Sequence, residues 1–362
     1  MNLNKKVLVG LSGGVDSSVA AYLLKQQGYD VTGVTMAIWD GQYQANTGKH
    51  SCYGPEEQEE IAEARELAEM LGIPFKVFDC SKDYKSLVLQ YFKNEYLAGR
   101  TPNPCVKCNQ LIKFGLLPML AERDGLAYDF FATGHYAKSG YDETTGRYYL
   151  KKGTDPKKDQ SYFIHRLSQE QLSKILLPLG DMTKEEVKSI AAELKLPASG
   201  KEESQDFYSG DYKDLLEVQD QPGDIVDPRG GVLGQHQGIW NYTIGQRKGL
   251  GVAFSEPLYV ISLDKEKNRV VVGTRAEAHH TTFYVNDINW VALPGLTGPR
   301  ECMAKIRSAQ RETEALIEPV EPGMVKVTFH QPNDGISPGQ SAVFYEGDIV
   351  LGGGVIASTN DK

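Results

Sequence analysis

The chain has 362 residues and a formal net charge of −9, a length that excludes one ordinary core and sets two or three domains as the expectation. No run of about 18 apolar residues occurs and the N-terminus lacks the basic-then-apolar order of a secretory signal, so a soluble, cytoplasmic protein with no membrane partner is expected. Five cysteines, Cys52, Cys80, Cys105, Cys108 and Cys302, form an odd and sparse set that argues against a disulfide framework and for reduced or reactive thiols.

The first element is the apolar strand Val7-Leu8-Val9, followed by Gly10-Leu11-Ser12-Gly13-Gly14-Val15-Asp16-Ser17-Ser18 and then a helical run from Val19. Strand, glycine-rich turn and helix N-terminus together make an anion site, because backbone N–H groups and the helix dipole both converge on the turn. The phosphate loop of kinases and GTPases ends in Gly-Lys-Ser/Thr; no lysine stands here. Ser12 to Ser17 instead resembles the Ser-Gly-Gly-x-Asp-Ser pyrophosphate loop of enzymes that cleave ATP between its α and β phosphates.

Strand-like and helix-like segments then alternate. Tyr29 to Trp39 is a strand, and Pro55-Glu56-Glu57 opens a helix with Ile61, Ala64, Leu67, Ala68 and Leu71 on one face, stopped by Gly72 and Pro74. Phe75 to Phe78 is a strand, Tyr84 to Leu97 and Asn109 to Glu122 are helices, and Asp129 to Thr133 is a strand ending at Gly134-His135. This is the pattern of a doubly wound parallel sheet, whose ligands sit beyond the carboxyl ends of the strands, so Gly10 to Ser17, Met36 and Gly134-His135 should converge. A hairpin from about Tyr148 and a helix capped by Thr183-Lys184-Glu185-Glu186 follow. Beyond about residue 220 short alternating strands separated by glycine and proline turns take over, among them Leu258 to Ile261, Arg269 to Val272, Ala315 to Ile317, Val325 to Phe329 and Ala342 to Tyr345. The expected architecture is therefore α/β: a catalytic, ATP-binding domain over 1–205, a small β-rich domain over 206–279 and a C-terminal β barrel over 280–362.

Arg100 to Asn109 contains two prolines and ends in Cys105-x-x-Cys108 at the start of a helix. A thiol at a helix N-terminus, with Lys107 and Lys113 close in sequence, is expected to have a lowered pKa. The spacing also suits half of a zinc site, but no second Cys-x-x-Cys or paired histidine supplies the other ligands. The acidic net charge argues against a nucleic-acid partner, yet Lys151-Lys152 with Lys157-Lys158, Arg247-Lys248, Lys267 to Arg275, and Lys305 with Arg307 could form a basic face. Each cluster alone reads equally as solvated surface.

An ATP-cleaving loop beside a thiol pair suggests that an oxygen is adenylated and then replaced by sulfur. At this point the chain resembles the bacterial tRNA-specific 2-thiouridylases along nearly its whole length. The matching segments are Gly-Leu-Ser-Gly-Gly-Val-Asp-Ser from Gly10, Thr-Pro-Asn-Pro-x-x-x-Cys-Asn ending at Asn109, Ala-Thr-Gly-His-Tyr-Ala from Ala132, Lys-Asp-Gln-Ser-Tyr-Phe from Lys158, Tyr-Thr-Ile-Gly-Gln-Arg-Lys-Gly-Leu-Gly from Tyr242, and Pro-Gly-Gln-Ser-Ala-Val-Phe-Tyr from Pro338.

The resemblance implies an adenine-nucleotide α-hydrolase-like first domain and tRNA-binding β domains, with ATP, accompanied by Mg2+, used to thiolate the wobble uridine of tRNAs for lysine, glutamate and glutamine. It implies that Gly10, Leu11, Ser12, Gly13, Gly14, Val15, Asp16 and Ser17 hold the phosphates, with Met36 near the adenine and Gly134 in the same pocket. Asn103, Pro104 and Cys105 would face the uracil, and Cys108 would be the catalytic thiol. His135, Lys158, Asp159, Gln160, Arg307 and Gln340 would touch tRNA. A cysteine desulfurase, a persulfide carrier or sulfide would deliver the sulfur.

Two positions depart from the family. Asp is frequent where this chain has Cys105, and a second, persulfide-bearing cysteine often follows a Glu/Asp-Ser motif; aligning Glu203-Ser204-Gln205-Asp206 puts Tyr208 there. Two routes stay open. Either Cys105 and Cys108 form a working pair that carries a persulfide and resolves it by disulfide exchange, or they ligate a [4Fe-4S] cluster with Cys52, rather than Cys80, as third ligand. The rival activities are adenylating ligation of a small molecule, which leaves Cys105 and Cys108 without a use, and non-catalytic tRNA binding or sulfur carriage.

Overall fold

The computed structural model describes residues 5–42, 51–196, 207–208 and 210–359. Two compact units emerge, the first built from Met1–Leu89, Pro104–Tyr212 and Asp348–Val350, the second from Gln90–Asn103, Lys213–Gly347 and Leu351–Lys362. Glu203 to Asp206, and with them the expected domain limit at 205, lie outside the described residues. No described helix is long and apolar enough to cross a membrane.

The strands of the first unit are β1 (Lys6–Gly10), β2 (Asp30–Ala37), β3 (Phe75–Asp79), β4 (Phe130–Ala132), an antiparallel hairpin of β5 (Ala137–Asp142) and β6 (Arg147–Lys152), and β7 (Ile175–Leu176). A parallel sheet runs in the order β3-β2-β1-β4-β7. Val7, Val9 and Ala132 are fully buried in it, which is why these strands read as apolar runs without alternation. Chain direction across the sheet reverses between β1 and β4, and such a switch point opens a crevice beyond the strand ends.

The helices α1 (Val15–Gln26), α2 (Glu57–Leu71), α4 (Leu117–Arg123) and α5 (Lys184–Glu193) contribute residues to this crevice, and the short α3 (Pro104–Lys107) precedes α4. Gly72 closes α2 in the left-handed conformation, φ 58°, a geometry that favours glycine. The capping box predicted for α5 is present, with Glu186 N donating to the Thr183 hydroxyl and Thr183 N donating to Glu186 Oε2. Two helices expected as regular α contain wide π segments instead, over Lys85–Leu89 and Cys108–Leu116. Periodicity alone misses such segments because they still bury one stripe.

In the second unit, β8 (Gly223–Val226), β9 (Val232–His236), β10 (Tyr259–Asp264) and β11 (Arg269–Gly273) form a sheet in the order β10-β11-β8-β9. Six more strands follow: β12 (His280–Trp290), β13 (Arg300–Lys305), β14 (Thr313–Glu321), β15 (Met324–Asn333), β16 (Ser341–Glu346) and β17 (Ile349–Ser358). They run in the order β12-β15-β14-β13-β16-β17, and β17 pairs back onto β12 to close a barrel. Inward residues alternate along its strands, as with Ala315 and Ile317 on β14 and Val325, Val327 and Phe329 on β15, all in one core with Phe283 and Phe344.

Candidate active site

The crevice of the first unit holds a cavity of about 740 Å3. Gly10, Leu11, Ser12, Gly14, Val15, Asp16 and Ser17 form its floor, and Met36, Gly134 and His135 add the ends of β2 and β4. The convergence expected from the strand ends is therefore found.

The loop is held by its own hydroxyls. Ser12 N donates to Ser17 Oγ at 3.2 Å, Ser17 Oγ donates to the Gly14 carbonyl at 3.1 Å and Ser18 Oγ to the same carbonyl at 2.7 Å. Gly14 stands at the N-cap of α1 and no side chain caps that terminus, so donors of the first turn are left for an anionic guest. Gly13, at φ +74°, does not line the cavity but is compelled to be glycine, since a Cβ there would lie 2.7 Å from the Glu60 carbonyl. At Gly134 a Cβ would sit 2.7 Å from the Asp16 carbonyl carbon and 2.8 Å from Ser17 N.

Other walls bring in residues that motif reading did not place. Lys184 and Lys188 reach the cavity from α5, Glu57 and Glu60 from α2, and Lys113 from the π-helix. Lys184 Nζ lies 2.7 Å from Asp16 Oδ1, which also accepts the Tyr136 hydroxyl at 2.7 Å. Glu57 is spoken for by the chain: its carboxylate accepts from Ile38 N and Trp39 N at 2.6 and 3.1 Å, and burial pushes its pKa up. A lysine in the first turn of α5 opposes the helix dipole, and that misfit was the available signal for Lys184.

Cys105 and Cys108 do not line the cavity, whereas Cys52 does. All five cysteines are free thiols. Cys105 lies in α3, and Cys108 begins the π-helix. The expected low pKa of Cys108 is overturned: desolvation pushes the thiol up to about 11, with only the Lys113 charge opposing. Sequence spacing shows the helix end and the lysine but not the burial, and burial wins. Cys52 is an exposed residue, yet desolvation by its surroundings raises its thiol too, against Lys113. Among the described residues no three Cys, His, Asp or Glu side chains group as metal ligands, so Cys52, Cys105 and Cys108 do not fit the three-cysteine set of an iron–sulfur cluster.

Tyr208, expected at the place of the family's second cysteine, is buried, its ring 6.4 Å from that of Tyr53. Tyr53 in turn stacks on Tyr84 at 5.4 Å, and its N–H donates to the Phe207 carbonyl at 2.9 Å. Tyr208, Tyr53 and Tyr84 thus form an aromatic cluster.

The residues expected to touch tRNA divide. His135 is buried, bonded through Nδ1 to the Thr133 hydroxyl at 2.7 Å and packed on Phe114; desolvation, aided by Lys113, holds its pKa well below the ordinary value. Lys158 and Gln160 line the cavity, and Gln160 Oε1 accepts from Tyr136 N at 2.9 Å. Asp159 braces a turn, accepting from Gly153 N, Ser161 N and the Ser161 hydroxyl. In the second unit, Arg307 Nη2 donates to the Ile244 carbonyl at 2.7 Å and to Ser337 Oγ at 2.8 Å. Gln340 Nε2 donates to the Thr101 and Pro102 carbonyls at 3.1 and 3.0 Å, beside Asn103. Pro104, the first residue of α3, is half-buried.

Comparison with known proteins agrees with this layout. Residues 5–208 match the family model described as tRNA methyl transferase HUP domain, 214–274 its PRC-barrel domain, and 280–356 the aminomethyltransferase beta-barrel domain. The tRNA-specific 2-thiouridylase MnmA of Endomicrobium trichonymphae is 50% identical over 98% of this chain and 100% of its own length. That of Desulforamulus reducens is 44% identical over 99% of both. Among solved structures, NMN synthetase from Francisella tularensis is a more distant likeness, with TM-score 0.33 and 18% identity over 56% of this chain and 67% of that one. Half of all positions are thus shared with a relative along its entire length, and the chain belongs to the tRNA-specific 2-thiouridylase family.

Proposed function

We propose that the protein is an ATP-dependent sulfurtransferase that converts the wobble uridine of tRNAs for lysine, glutamate and glutamine to 2-thiouridine. The observation that carries this reading is the lysine-free serine-glycine loop flooring a cavity of nucleotide size, with the Cys105-Cys108 turn in the same unit.

The uracil leaves the anticodon stack to reach the site, as bases do in other modifying enzymes. Its O2 attacks the α-phosphorus, pyrophosphate leaves with the bonding electron pair, and N3 gives up its proton. The loop N–H groups and the α1 dipole stabilise the charge that develops on phosphorus. The terminal sulfur of a persulfide on Cys105 or Cys108 then attacks C2 and expels AMP. The neighbouring thiolate attacks the inner sulfur, the S–S bond breaks with its electron pair on the transferred sulfur, N3 takes up a proton from water to give 2-thiouridine, and a Cys105–Cys108 disulfide is left. Lys113 supports the second half of this sequence, because its charge favours the Cys108 thiolate against desolvation.

Mg2+ prefers one or two carboxylates plus phosphate oxygens and water, and Asp16 at the loop fits as such a carboxylate. When bound it would neutralise phosphate charge. Asn103 and Pro104 would frame the uracil, and His135, a neutral imidazole, would act as a hydrogen-bonding wall of the cavity. Lys158, Asp159, Gln160, Arg307 and Gln340 are assigned to tRNA contact or to shaping that contact surface. The sulfur arrives in the cytoplasm as the outer sulfur of a persulfide passed on by a desulfurase or a persulfide carrier, or as free sulfide that attacks the Cys105–Cys108 disulfide and leaves a persulfide on one cysteine and a thiol on the other.

The test is incubation of the purified chain with ATP, tRNA and a persulfide donor, followed by mass analysis of the nucleosides. Thiolated uridine that disappears in Cys108→Ala, while ATP still binds, is the expected result. Unchanged thiolation in that variant overturns the assignment of the thiol.

A further inference from the structure

The pyrophosphate loop needs countercharge that it does not carry. From Gly10 to Ser18 it offers backbone N–H groups, hydroxyls and one carboxylate, with no cation. A triphosphate held by N–H groups alone would leave its two outer phosphates, the ones that depart, poorly neutralised.

A further wall of the cavity supplies what is missing. Lys184 and Lys188 stand four residues apart on α5, so they share one face, and both line the cavity. Lys184 is fixed rather than waving. Its side chain is 10% exposed, its Nζ sits on Asp16 Oδ1 at 2.7 Å, and it lies over the Tyr136 ring at 5.8 Å from the centroid. The Tyr136 hydroxyl holds the other side of the same carboxylate oxygen. A buried ammonium at the positive end of a helix is doubly unfavourable. The chain offsets this locally, with Asp155 Oδ2 accepting from Lys184 N at 3.0 Å and Glu185 and Glu186 in the first turn. Lys188 is exposed at the cavity edge. Of the other charged lining residues, Asp16 comes from the loop, Glu57 and Glu60 from α2, Lys113 from the π-helix and Lys158 from the segment before Gln160, so α5 is the wall that brings two lysines together.

Resting on the ATP-cleaving reading of this cavity, we propose that Lys184 and Lys188 form the subsite for the β and γ phosphates and hold pyrophosphate as it leaves. The bond between the α-phosphorus and the bridging oxygen breaks, the electron pair stays on that oxygen, and the two ammonium groups neutralise the charge that collects there. Asp16 positions Lys184 for this and prevents it from turning outward.

Calorimetric titration of the full chain with ATP, AMP and inorganic pyrophosphate, each with Mg2+, separates this subsite from the adenosine end. Lys188→Met should raise the Kd for ATP and for pyrophosphate about tenfold, equivalent to about 1.4 kcal/mol, and leave AMP within about twofold. Lys184→Arg should keep both affinities, and Lys184→Met should behave as Lys188→Met does, or more severely. Unchanged ATP and pyrophosphate affinity in Lys188→Met overturns the proposal, as does an equal loss for AMP, which would mark a merely structural role. A wild-type chain that binds no ATP overturns the nucleotide reading itself.

Discussion

The side-chain amide of Gln340 donates to the carbonyl of Thr101, 239 positions earlier in the chain, and to that of Pro102 beside it. Thr101 N returns a bond to the Pro338 carbonyl at 2.8 Å, and Gly339, at φ +92°, lets the two backbones approach to where a Cβ would meet Thr101 O at 2.9 Å. The stiff Thr-Pro-Asn segment that leads into the Cys105 turn is thus anchored within the second unit. Gln340→Leu removes two hydrogen bonds of about 1 kcal/mol each. The expected outcome is a several-fold fall in thiolation with ATP affinity unchanged, checked by nucleoside mass analysis alongside calorimetry.

Gly134→Ala tests the close approach of β4 to the loop. Its methyl would press on the Asp16 carbonyl carbon and Ser17 N, both backbone atoms that cannot yield. Overpacking of this kind costs about 1–3 kcal/mol, and because the displaced atoms are the phosphate floor, ATP affinity should fall by at least about tenfold. Retention of full affinity would show that the floor is softer than its hydrogen bonds imply.

Thiol reactivity at Cys108 should rise with pH without a plateau near neutrality. Its pKa stands at about 11, raised chiefly by desolvation, so the thiolate fraction grows about tenfold per pH unit below that value. Between pH 8 and pH 10 the iodoacetamide rate at the Cys108 peptide should increase by roughly a hundredfold. Lys113→Ala removes the opposing charge and should lower the rate at every pH. A plateau below pH 8 would show that the thiol is already ionised.

His135 sets a loss of stability in mild acid. Its folded pKa is held well below 6.5 by desolvation and then by Lys113. Below that value the unfolded chain takes up a proton that the folded chain refuses, so stability falls as pH falls, by at most about 1.4 kcal/mol per pH unit for one group. Urea midpoints between pH 7 and pH 5 should decline in the wild type and decline less in His135→Asn.

Much of this was legible from short-range signals. The β1 loop and α1 lie within one continuous motif, and Met36 and Gly134 follow from the rule that strand ends meet at a switch point. The capping box of α5 and the left-handed Gly72 were likewise readable, because caps are local. What escaped depends on distance and depth. Lys184 meets Asp16 across 168 positions, and no motif links them. The two-residue strand β7 carries too little pattern to be seen, and β12, β13 and β17 of the barrel, 11, 6 and 10 residues long, are set by pairing and closure more than by their own alternation. Cys108 was misjudged in sign because a helix start and nearby lysines are visible in sequence, whereas the desolvation that outweighs them is not.

The π-helix over Cys108–Leu116 also fixes an angular phase. In an ordinary helix, at about 100° per residue, a residue five places on points roughly 140° away. The wider winding, with its i→i+5 bonds, brings the fifth residue back above the first, so Lys113 returns to the side of Cys108. Winding therefore acts here as a tuning element: the same residues in an ordinary helix would point the ammonium roughly 140° away from the sulfur, whereas deleting one residue between them would put the lysine four places on, about 40° away, and keep it on the sulfur's side. The π winding, rather than the spacing alone, is thus what keeps beside Cys108 the one charge that eases its thiol toward ionisation.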